Sequence, residues 1–184
     1  SANNIVGNKN IRFSVVRYGN VFNSRGSVFP LFKKIIDEKQ KYFPITHPDM
    51  TRFIITLDEG IDFVIKSFMR MYGGEIFIPK IKSLRILDLV NVMDKKKKLK
   101  YLGIRPGEKM HEFLFSSDET SLIYEFSNHY VLAPSISFTH IAKKGFSKNK
   151  LGEKGKKLKT SFNYSSNLNS FLNKNEIKKL INNK

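Results

Sequence analysis

The chain of 184 residues contains no cysteine, which excludes disulfide bonds and thiolate chemistry. Its four histidines lie too far apart in sequence to form a local metal-binding pattern. The apolar runs stop well short of the roughly 20 residues that a membrane-spanning helix needs. We therefore expect a cytoplasmic protein that holds no metal and does not insert into a membrane.

The N-terminus has neither the pattern of a secretion signal nor an initiating methionine. No basic segment followed by an apolar one opens the sequence, and the first residue is Ser1 rather than methionine. This start predicts a fragment or a processed chain.

The charge is strongly positive, at +17, but it is unevenly distributed. Residues 141–184 contain 12 lysines against two glutamates, and lysine outnumbers arginine by 26 to 7 in the whole chain. Specific recognition of phosphates and bases favours arginine, whose planar group donates paired hydrogen bonds. The pattern therefore predicts a solvated lysine-rich surface and no nucleic-acid partner, with a non-catalytic basic binding module as the alternative.

Short β-prone segments alternate with segments of helical periodicity, which predicts an α/β fold. Strands are predicted near residues 11–18, 52–56, 75–78, 100–104 and 130–132. Helices are predicted from Ser27, from a capping pair formed by Thr56 and Glu59, and over residues 86–93. We expect the second helix to bury the residues at its apolar positions, Ile61, Val64, Ile65, Phe68 and Met69.

The composition changes beyond residue 134, and this change predicts two regions. Residues 1–134 carry the α/β alternation, whereas residues 135–184 are rich in lysine, asparagine, serine and glycine. The second region is predicted to be a loosely packed tail with a terminal helix near residues 175–181.

A motif that binds dinucleotides is missing from the chain. No glycine-rich segment follows a predicted strand and opens a helix, the arrangement that binds a dinucleotide pyrophosphate.

Three short segments place charged or hydrogen-bonding side chains beside a glycine, a proline or a strand end. They are RYGNV at residues 17–21, MTRF at 50–53 and GIRPGEK at 103–109. Arginine suits a diphosphate because it forms paired, charge-assisted hydrogen bonds, and asparagine can both donate to and accept from a sugar. Taken alone, each segment is more often explained by a surface ion pair or an ordinary turn.

In their order and separation, these segments resemble a known family. The strings RYGNVFNSRGSVFPLFKK, PIT, MTRFIITLDEG, GGEIFIPK and GIRPGEKMHE are similar to the C-terminal half of inverting UDP-N-acetylglucosamine 4,6-dehydratases. These are polysaccharide biosynthesis enzymes of the extended short-chain dehydrogenase family. The resemblance implies the C-terminal part of a Rossmann-like NAD(P)-binding fold, with its last strands near residues 11–19 and 75–79, plus a small α/β substrate-binding lobe. Departures occur at Asn23, where glycine is usual, and at Lys82, where proline is usual.

The resemblance implies substrate contacts for this chain and leaves the catalytic residues and the NADP site to the other half of the enzyme. The resembled family carries a Tyr-x-x-x-Lys pair near its active site, and none of the seven tyrosines here has a lysine four residues later, so we assign no catalytic residue to this chain. An asparagine would contact the nucleotide sugar, two arginines would bind the diphosphate or ribose, a glutamate would lie by the ribose, and the start of a helix would border the base. In that order, the implied substrate-binding residues are Asn20, Arg52, Arg105, Glu108, Ser27, Val28 and Phe29.

The implied reaction converts UDP-N-acetylglucosamine to a UDP-4-keto-6-deoxy-L-sugar with inversion at C5, for pseudaminic acid or surface polysaccharide biosynthesis. NADP supplies the redox chemistry, so this chain alone is expected to be inactive. The complete enzyme is expected to be a homo-oligomer. A UDP-sugar 4-epimerase or a retaining 4,6-dehydratase of the same family stays open as an alternative, because the same asparagine and arginines serve any UDP-sugar.

Overall fold

The computed structural model describes residues 11–135 and 145–182, so the parts of the predicted regions at 1–10, 136–144 and 183–184 lie outside the described residues. Two compact units interleave along the chain. The first comprises Ser1–Tyr18, Asp58–Lys80 and Leu114–Tyr164, and the second comprises Gly19–Leu57, Ile81–Phe113 and Ser165–Lys184. Residue 134, the predicted border between two regions, is not a border between these units.

Within the described residues, the two units are built from short strands and four helices. The strands are β1 (Val15–Val16), β2 (Asn20–Val21), β3 (Tyr42–Ile45), β4 (Thr51–Ile55), β5 (Ile76–Pro79), β6 (Ser83–Arg85), β7 (Lys98–Tyr101), β8 (Phe113–Phe115), β9 (Ile123–Glu125), β10 (His129–Leu132), β11 (Lys156–Lys157) and β12 (Tyr164–Ser165). The helices are α1 (Val28–Asp37), α2 (Leu57–Arg70), α3 (Ile86–Met93) and α4 (Lys174–Asn182), and a 3₁₀ turn spans Ser117–Leu122.

The first unit contains a five-stranded sheet in the order β1-β5-β10-β9-β11. β1 and β5 are parallel, with Val15 opposite Ile76, and β10 continues the sheet in the antiparallel direction. The two predicted strands near residues 11–19 and 75–79 are therefore confirmed as neighbours in parallel pairing, although β1 is shorter than expected. Parallel neighbours require a crossover, because the chain must return to the same end of the sheet.

The second unit contains two smaller groups of strands. β4 lies between β2, which is parallel to it, and β6, which is antiparallel. β3 and β7 form a separate parallel pair. The predicted helices at Ser27 and at residues 86–93 are confirmed as α1 and α3, and their apolar faces meet in a core that includes Phe32, Phe43 and Leu89.

Arg17, the first residue of the RYGNV segment, has a structural role within the first unit. Its Nη1 atom donates to the carbonyl oxygen of Leu114 over 2.8 Å and lies 3.2 Å from Oε1 of Glu119. Glu119 also accepts from the backbone N–H of Ser116 and so completes the cap of the 3₁₀ turn. Arg17 therefore ties the end of β1 to this turn.

The predicted burial of α2 is wrong, although the helix itself is present. Its buried residues are Gly60, Phe63, Ser67 and Arg70. The inward face is held by Phe63, which packs in a buried cluster, and by the ion-paired Arg70, and the more apolar face is left uncovered. The exposed residues, which we call the α2 stripe, are Leu57, Ile61, Val64, Ile65, Phe68 and Met69.

The tail contributes structure to both units. The predicted terminal helix is confirmed as α4, with Ile177 in the core of the second unit. Tyr164, Ser165 and Ser166 are also buried, in a region whose composition predicts loose packing. Asn173 caps α4, because its Oδ1 accepts from the backbone N–H of Glu176.

An ion pair between a buried arginine and a partly exposed glutamate joins α2 to the tail within the first unit. Arg70, only 2% exposed, donates to both carboxylate oxygens of Glu153, over 2.7 and 2.8 Å. The hydrogen bonds from Arg70 lower the pKa of Glu153 to about 2. His129 is fully buried near this pair and stacks on Phe126, and desolvation, followed by the charge of Arg70, lowers its pKa from 6.5 to about 4.

We expect the α2 stripe to cause self-association of this chain, because a contiguous exposed apolar face is a contact surface. Substitution Phe68→Ser, at a residue that is 74% exposed, should shift the chain towards the monomer in light scattering across a concentration series. Leu168→Ser, at a residue 71% exposed but on a different unit, is the matched control and should leave self-association unchanged. A cooperative melt of the unsubstituted chain that does not depend on concentration would contradict this expectation.

We also expect the free energy of unfolding to fall as the pH is lowered from about 6.5 to 4. Over this range the unfolded state takes up a proton at His129 that the folded state, with its lowered pKa, does not. Below about pH 4.5 the loss continues, because Glu153 must be protonated as the pH approaches its folded pKa of about 2.

Urea unfolding as a function of pH tests this dependence. The variant His129→Phe keeps an aromatic ring against Phe126 and removes the titrating group, so its stability should be nearly constant between about pH 6.5 and 4.5 and should still decline below that. His47→Phe makes the same substitution at a partly exposed histidine and is the control for the exchange of an imidazole for a phenyl ring. An unchanged slope in His129→Phe would show that this residue does not determine the dependence.

Candidate functional site

The second unit contains a cavity of about 250 Å³ at the N-terminal end of α1, which we call the α1 pocket. Residues from β2, α1, β4 and the segment after β7 contribute to it. The residues that line it are Asn20, Val21, Phe22, Asn23, Gly26, Ser27, Val28, Phe29, Pro44, Thr46, Met50, Arg52, Ile54, Leu84, Ile86, Leu89 and Glu108. Six of the seven predicted substrate-binding residues are therefore brought together, although they are up to 88 positions apart in the chain.

Asn20 is placed by the close approach of β2 to β4. It pairs with Ile54 in the parallel register, and the backbone N–H of Phe22 donates to the carbonyl oxygen of Ile55 over 2.8 Å. Gly19 precedes this pair and has no room for a side chain, since a Cβ there would lie 2.6 Å from the carbonyl oxygen of Phe53. The glycine of the RYGNV segment is thus required by packing against β4.

The N-terminus of α1 faces the pocket without a side-chain cap. Ser27 is the N-cap residue, yet its side chain forms no capping hydrogen bond, and its buried Oγ has no partner among the described residues. The first turn of α1 contains no acidic residue. The free N–H groups and the helix dipole at such an end favour a bound anion.

Aromatic and apolar side chains form the rest of the wall near α1. The rings of Phe22 and Phe29 lie 4.6 Å apart, and Phe29 is buried. Asn23, at the position where the resembled family has glycine, adopts a positive φ of 61°, a conformation that asparagine tolerates better than most residues. The departure from glycine therefore leaves the backbone turn beside the pocket intact.

Arg52 is held in a defined orientation at the pocket. Its Nη1 atom donates to the carbonyl oxygens of Thr51 and Met110, over 2.7 and 3.1 Å, and its Nε lies 3.5 Å from Oε1 of Glu112. The side chain is only 14% exposed. A guanidinium fixed in this way loses little conformational entropy when it binds a phosphate.

Glu108 lines the pocket, whereas Arg105 does not. Both belong to the turn of the GIRPGEK segment, where the backbone N–H of Glu108 donates to the carbonyl oxygen of Arg105 over 3.0 Å. Thr46 donates from Oγ1 to Glu108 over 3.3 Å and so holds the carboxylate near β3. Arg105 is exposed, and its predicted contact with the substrate stays a prediction.

Sequence reasoning missed several residues of the site. Phe22, Thr46 and Met50 line the pocket, and Met110 and Glu112 orient Arg52. All five lie within the sequence strings on which the resemblance rests. Glu112 is charged, but the other four residues are neither charged nor typical of turns, so nothing in the sequence distinguishes them from their neighbours. Lys82, the other departure from the family, forms an ion pair with Glu176 of α4 at 2.5 Å.

The described residues do not fit a metal ion or a dinucleotide. In residues 11–135 and 145–182, no three His, Cys, Asp or Glu side chains form a group that could bind a metal. A single glycine with positive φ, Gly26, precedes α1, and Gly73–Gly74 lead into β5 rather than out of a strand. Over the same ranges, no glycine-rich loop that could hold a pyrophosphate connects a strand to a helix, and no helix has the length and apolar character needed to cross a membrane.

The parallel pairing of β1 with β5 and the pocket at the N-terminus of α1 define an α/β protein with a candidate anion-binding site. Sequence comparison identifies its family. The profile of the family described as "Polysaccharide biosynthesis protein" matches residues 1–134, and the chain belongs to this family.

Two relatives from Campylobacter jejuni are named UDP-N-acetylglucosamine 4,6-dehydratase (inverting). That of serotype O:2 is 52% identical over 183 residues, which is 99% of this chain and 54% of the relative. That of serotype O:23/36 is 53% identical over 92% of this chain and 50% of the relative. A UDP-glucose 4-epimerase of Rickettsia bellii is 35% identical over 92% of this chain. The chain thus spans about half the length of the curated relatives it matches.

The solved structure of Pen from Bacillus thuringiensis is also similar to this chain. The TM-score is 0.76 at 30% identity, over 94% of this chain and 49% of Pen. Together with the parallel pairing of β1 and β5, this similarity confirms the predicted α/β, Rossmann-like fold class.

We expect Gly19→Ala to destabilise the protein by about 1–3 kcal/mol, because the added Cβ overlaps the backbone of Phe53 and must push β2 away from β4. Gly60→Ala is the matched control, since a Cβ there meets no atom within 4 Å and alanine is the better helix former by about 1 kcal/mol. Urea unfolding should therefore show opposite signs for the two substitutions. Equal effects would contradict the packing role of Gly19.

Proposed function

We propose that this chain is the nucleotide-sugar-binding part of an inverting UDP-N-acetylglucosamine 4,6-dehydratase. The observation that carries the proposal is the meeting of Asn20, the uncapped N-terminus of α1 and the oriented guanidinium of Arg52 in one pocket. The diphosphate requires positive potential, which Arg52 and the helix end supply. Identity of 52% to a relative of that name supports the choice of substrate.

In this proposal the chain binds and orients the substrate and performs none of the chemistry. Asn20 contacts the sugar, Arg52 binds the diphosphate, Glu108 accepts from the ribose hydroxyls, and Ser27, Val28 and Phe29 border the base. Arg105 reaches the diphosphate or ribose from its exposed turn. The family's fold and relatives support a nucleotide cofactor, NADP in our proposal, which supplies the hydride acceptor and donor and is bound outside this chain. A cytoplasmic, homo-oligomeric complete enzyme belongs to the same proposal.

Binding of UDP and UDP-N-acetylglucosamine to the 184-residue chain tests the proposal by isothermal titration calorimetry. We expect both to bind and Arg52→Ala to weaken binding by on the order of tenfold or more, since a charge-assisted hydrogen bond is lost. Arg85→Ala removes an arginine that does not line the α1 pocket and is the control. Equal affinities for the two variants, or no binding by the unsubstituted chain, would contradict the proposal.

The chemical identity of the reaction product distinguishes a dehydratase from the alternative, an epimerase. A longer protein that contains this chain together with the remaining half of the family fold should convert UDP-N-acetylglucosamine to a 4-keto-6-deoxy sugar, whereas an epimerase would leave C6 oxygenated. The basic-module alternative would instead appear as steeply salt-dependent binding of DNA or RNA.

A further inference from the structure

A short segment after the GIRPGEK turn, residues 110–112, determines where the guanidinium of Arg52 lies. The backbone N–H of Thr51 donates to the carbonyl oxygen of Met110 over 3.1 Å, which fastens the segment beside β4. The same carbonyl accepts from Nη1 of Arg52, and the carboxylate of Glu112 lies 3.5 Å from its Nε. A displacement of this segment would therefore displace the cation of the α1 pocket.

A serine of the tail holds this segment in place. Ser166 is fully buried, and its Oγ accepts from the backbone N–H of Glu112 over 2.9 Å. Its own backbone N–H donates to the carbonyl oxygen of Glu112 over 2.8 Å. Both backbone groups of Glu112 are thus bonded to a single residue more than fifty positions away.

The hydroxyl of Ser166 also connects the segment to β4. It lies 2.7 Å from Oγ1 of Thr51, which in turn lies 2.8 Å from Nδ1 of His111. One arrangement uses every proton once: Glu112 N–H donates to Ser166, Ser166 donates to Thr51, and Thr51 donates to an unprotonated His111 Nδ1. Removing the serine hydroxyl leaves buried polar groups of both neighbours without this partner, a loss that favours rearrangement.

We propose that Ser166 is a positioning residue for Arg52: through Thr51 and Glu112 it fixes the guanidinium in the orientation that binds the diphosphate of the nucleotide sugar. Its effect on affinity rests on the function proposed above. Ser166 lies beyond residues 1–134, the part of the chain that matches the family profile. The tail therefore contributes to the α1 pocket without lining it.

The chain offers a closely matched control at the neighbouring position. Ser165 is also buried, but its Oγ donates to Oδ1 of Asn167 and not to residues 110–112. Ser165→Ala and Ser166→Ala remove the same atom from adjacent buried sites, so a general loss of packing should affect both.

The first measurement needs no ligand. Hydrogen exchange of the Arg52 Nε–H, followed by nuclear magnetic resonance, should be on the order of tenfold faster in Ser166→Ala than in Ser165→Ala. Ser166→Cys, which keeps the size and a weak acceptor, should lie between them and also serves if Ser166→Ala does not fold. Equal exchange rates in the Ser165 and Ser166 variants would overturn the proposal.

The second measurement is UDP affinity in a double-substitution cycle. Ser166→Ala should weaken UDP binding by on the order of tenfold, yet it should have almost no further effect once Arg52 is alanine, because its action passes through that side chain. Equal losses with and without Arg52 would indicate a purely structural role and overturn the proposal. If the unsubstituted chain binds no UDP, the proposed function fails, and the exchange of the Arg52 Nε–H alone decides whether Ser166 positions it.

Discussion

The parallel pairing of β2 with β4 is the constraint on which the candidate site depends. It is possible at this distance only because Gly19 has no side chain to meet the backbone of Phe53. The pairing places Asn20 at the end of β2 beside a strand that carries Arg52, and it leads the chain through a turn at Gly26 into α1. The polar groups of the α1 pocket thus follow from one close backbone contact.

The α1 pocket combines the N-terminus of α1, which has no side-chain cap, with Arg52, whose guanidinium is held by several contacts. The N-terminus of α1 has no side-chain cap, and the hydroxyl of Ser27 has no partner in the part of the chain that the structure describes. Arg52, in contrast, is bonded to two carbonyl oxygens and lies beside a carboxylate. Such a site recognises an anion chiefly through preorganisation, because the costs of orienting the donors are met when the protein folds.

Local patterns predicted the elements well and their burial less well. The helical periodicity of residues 86–93 and the β-prone residues 52–56 correspond closely to α3 and β4, since both signals are local. All residues of the α2 stripe except Leu57 were expected to be buried, but apolar spacing shows only that the helix has an apolar face. Which face packs inward depends on the tertiary contacts, and here the face that carries Phe63 and Arg70 is the buried one.

The sequence by itself determined the α/β class, the order of most helices and strands, and the short segments that carry the candidate site residues, because spacing, turn residues and charge are local properties. Tertiary structure decided which of these residues meet: Glu108 lines the α1 pocket while Arg105 of the same turn does not. It also decided that Ser166, in a lysine-rich tail without a recognisable motif, bonds to Glu112 and Thr51. Hydrogen bonds between residues 54 and 115 positions apart depend on how the strands and turns pack, and no local pattern of a single sequence encodes that packing.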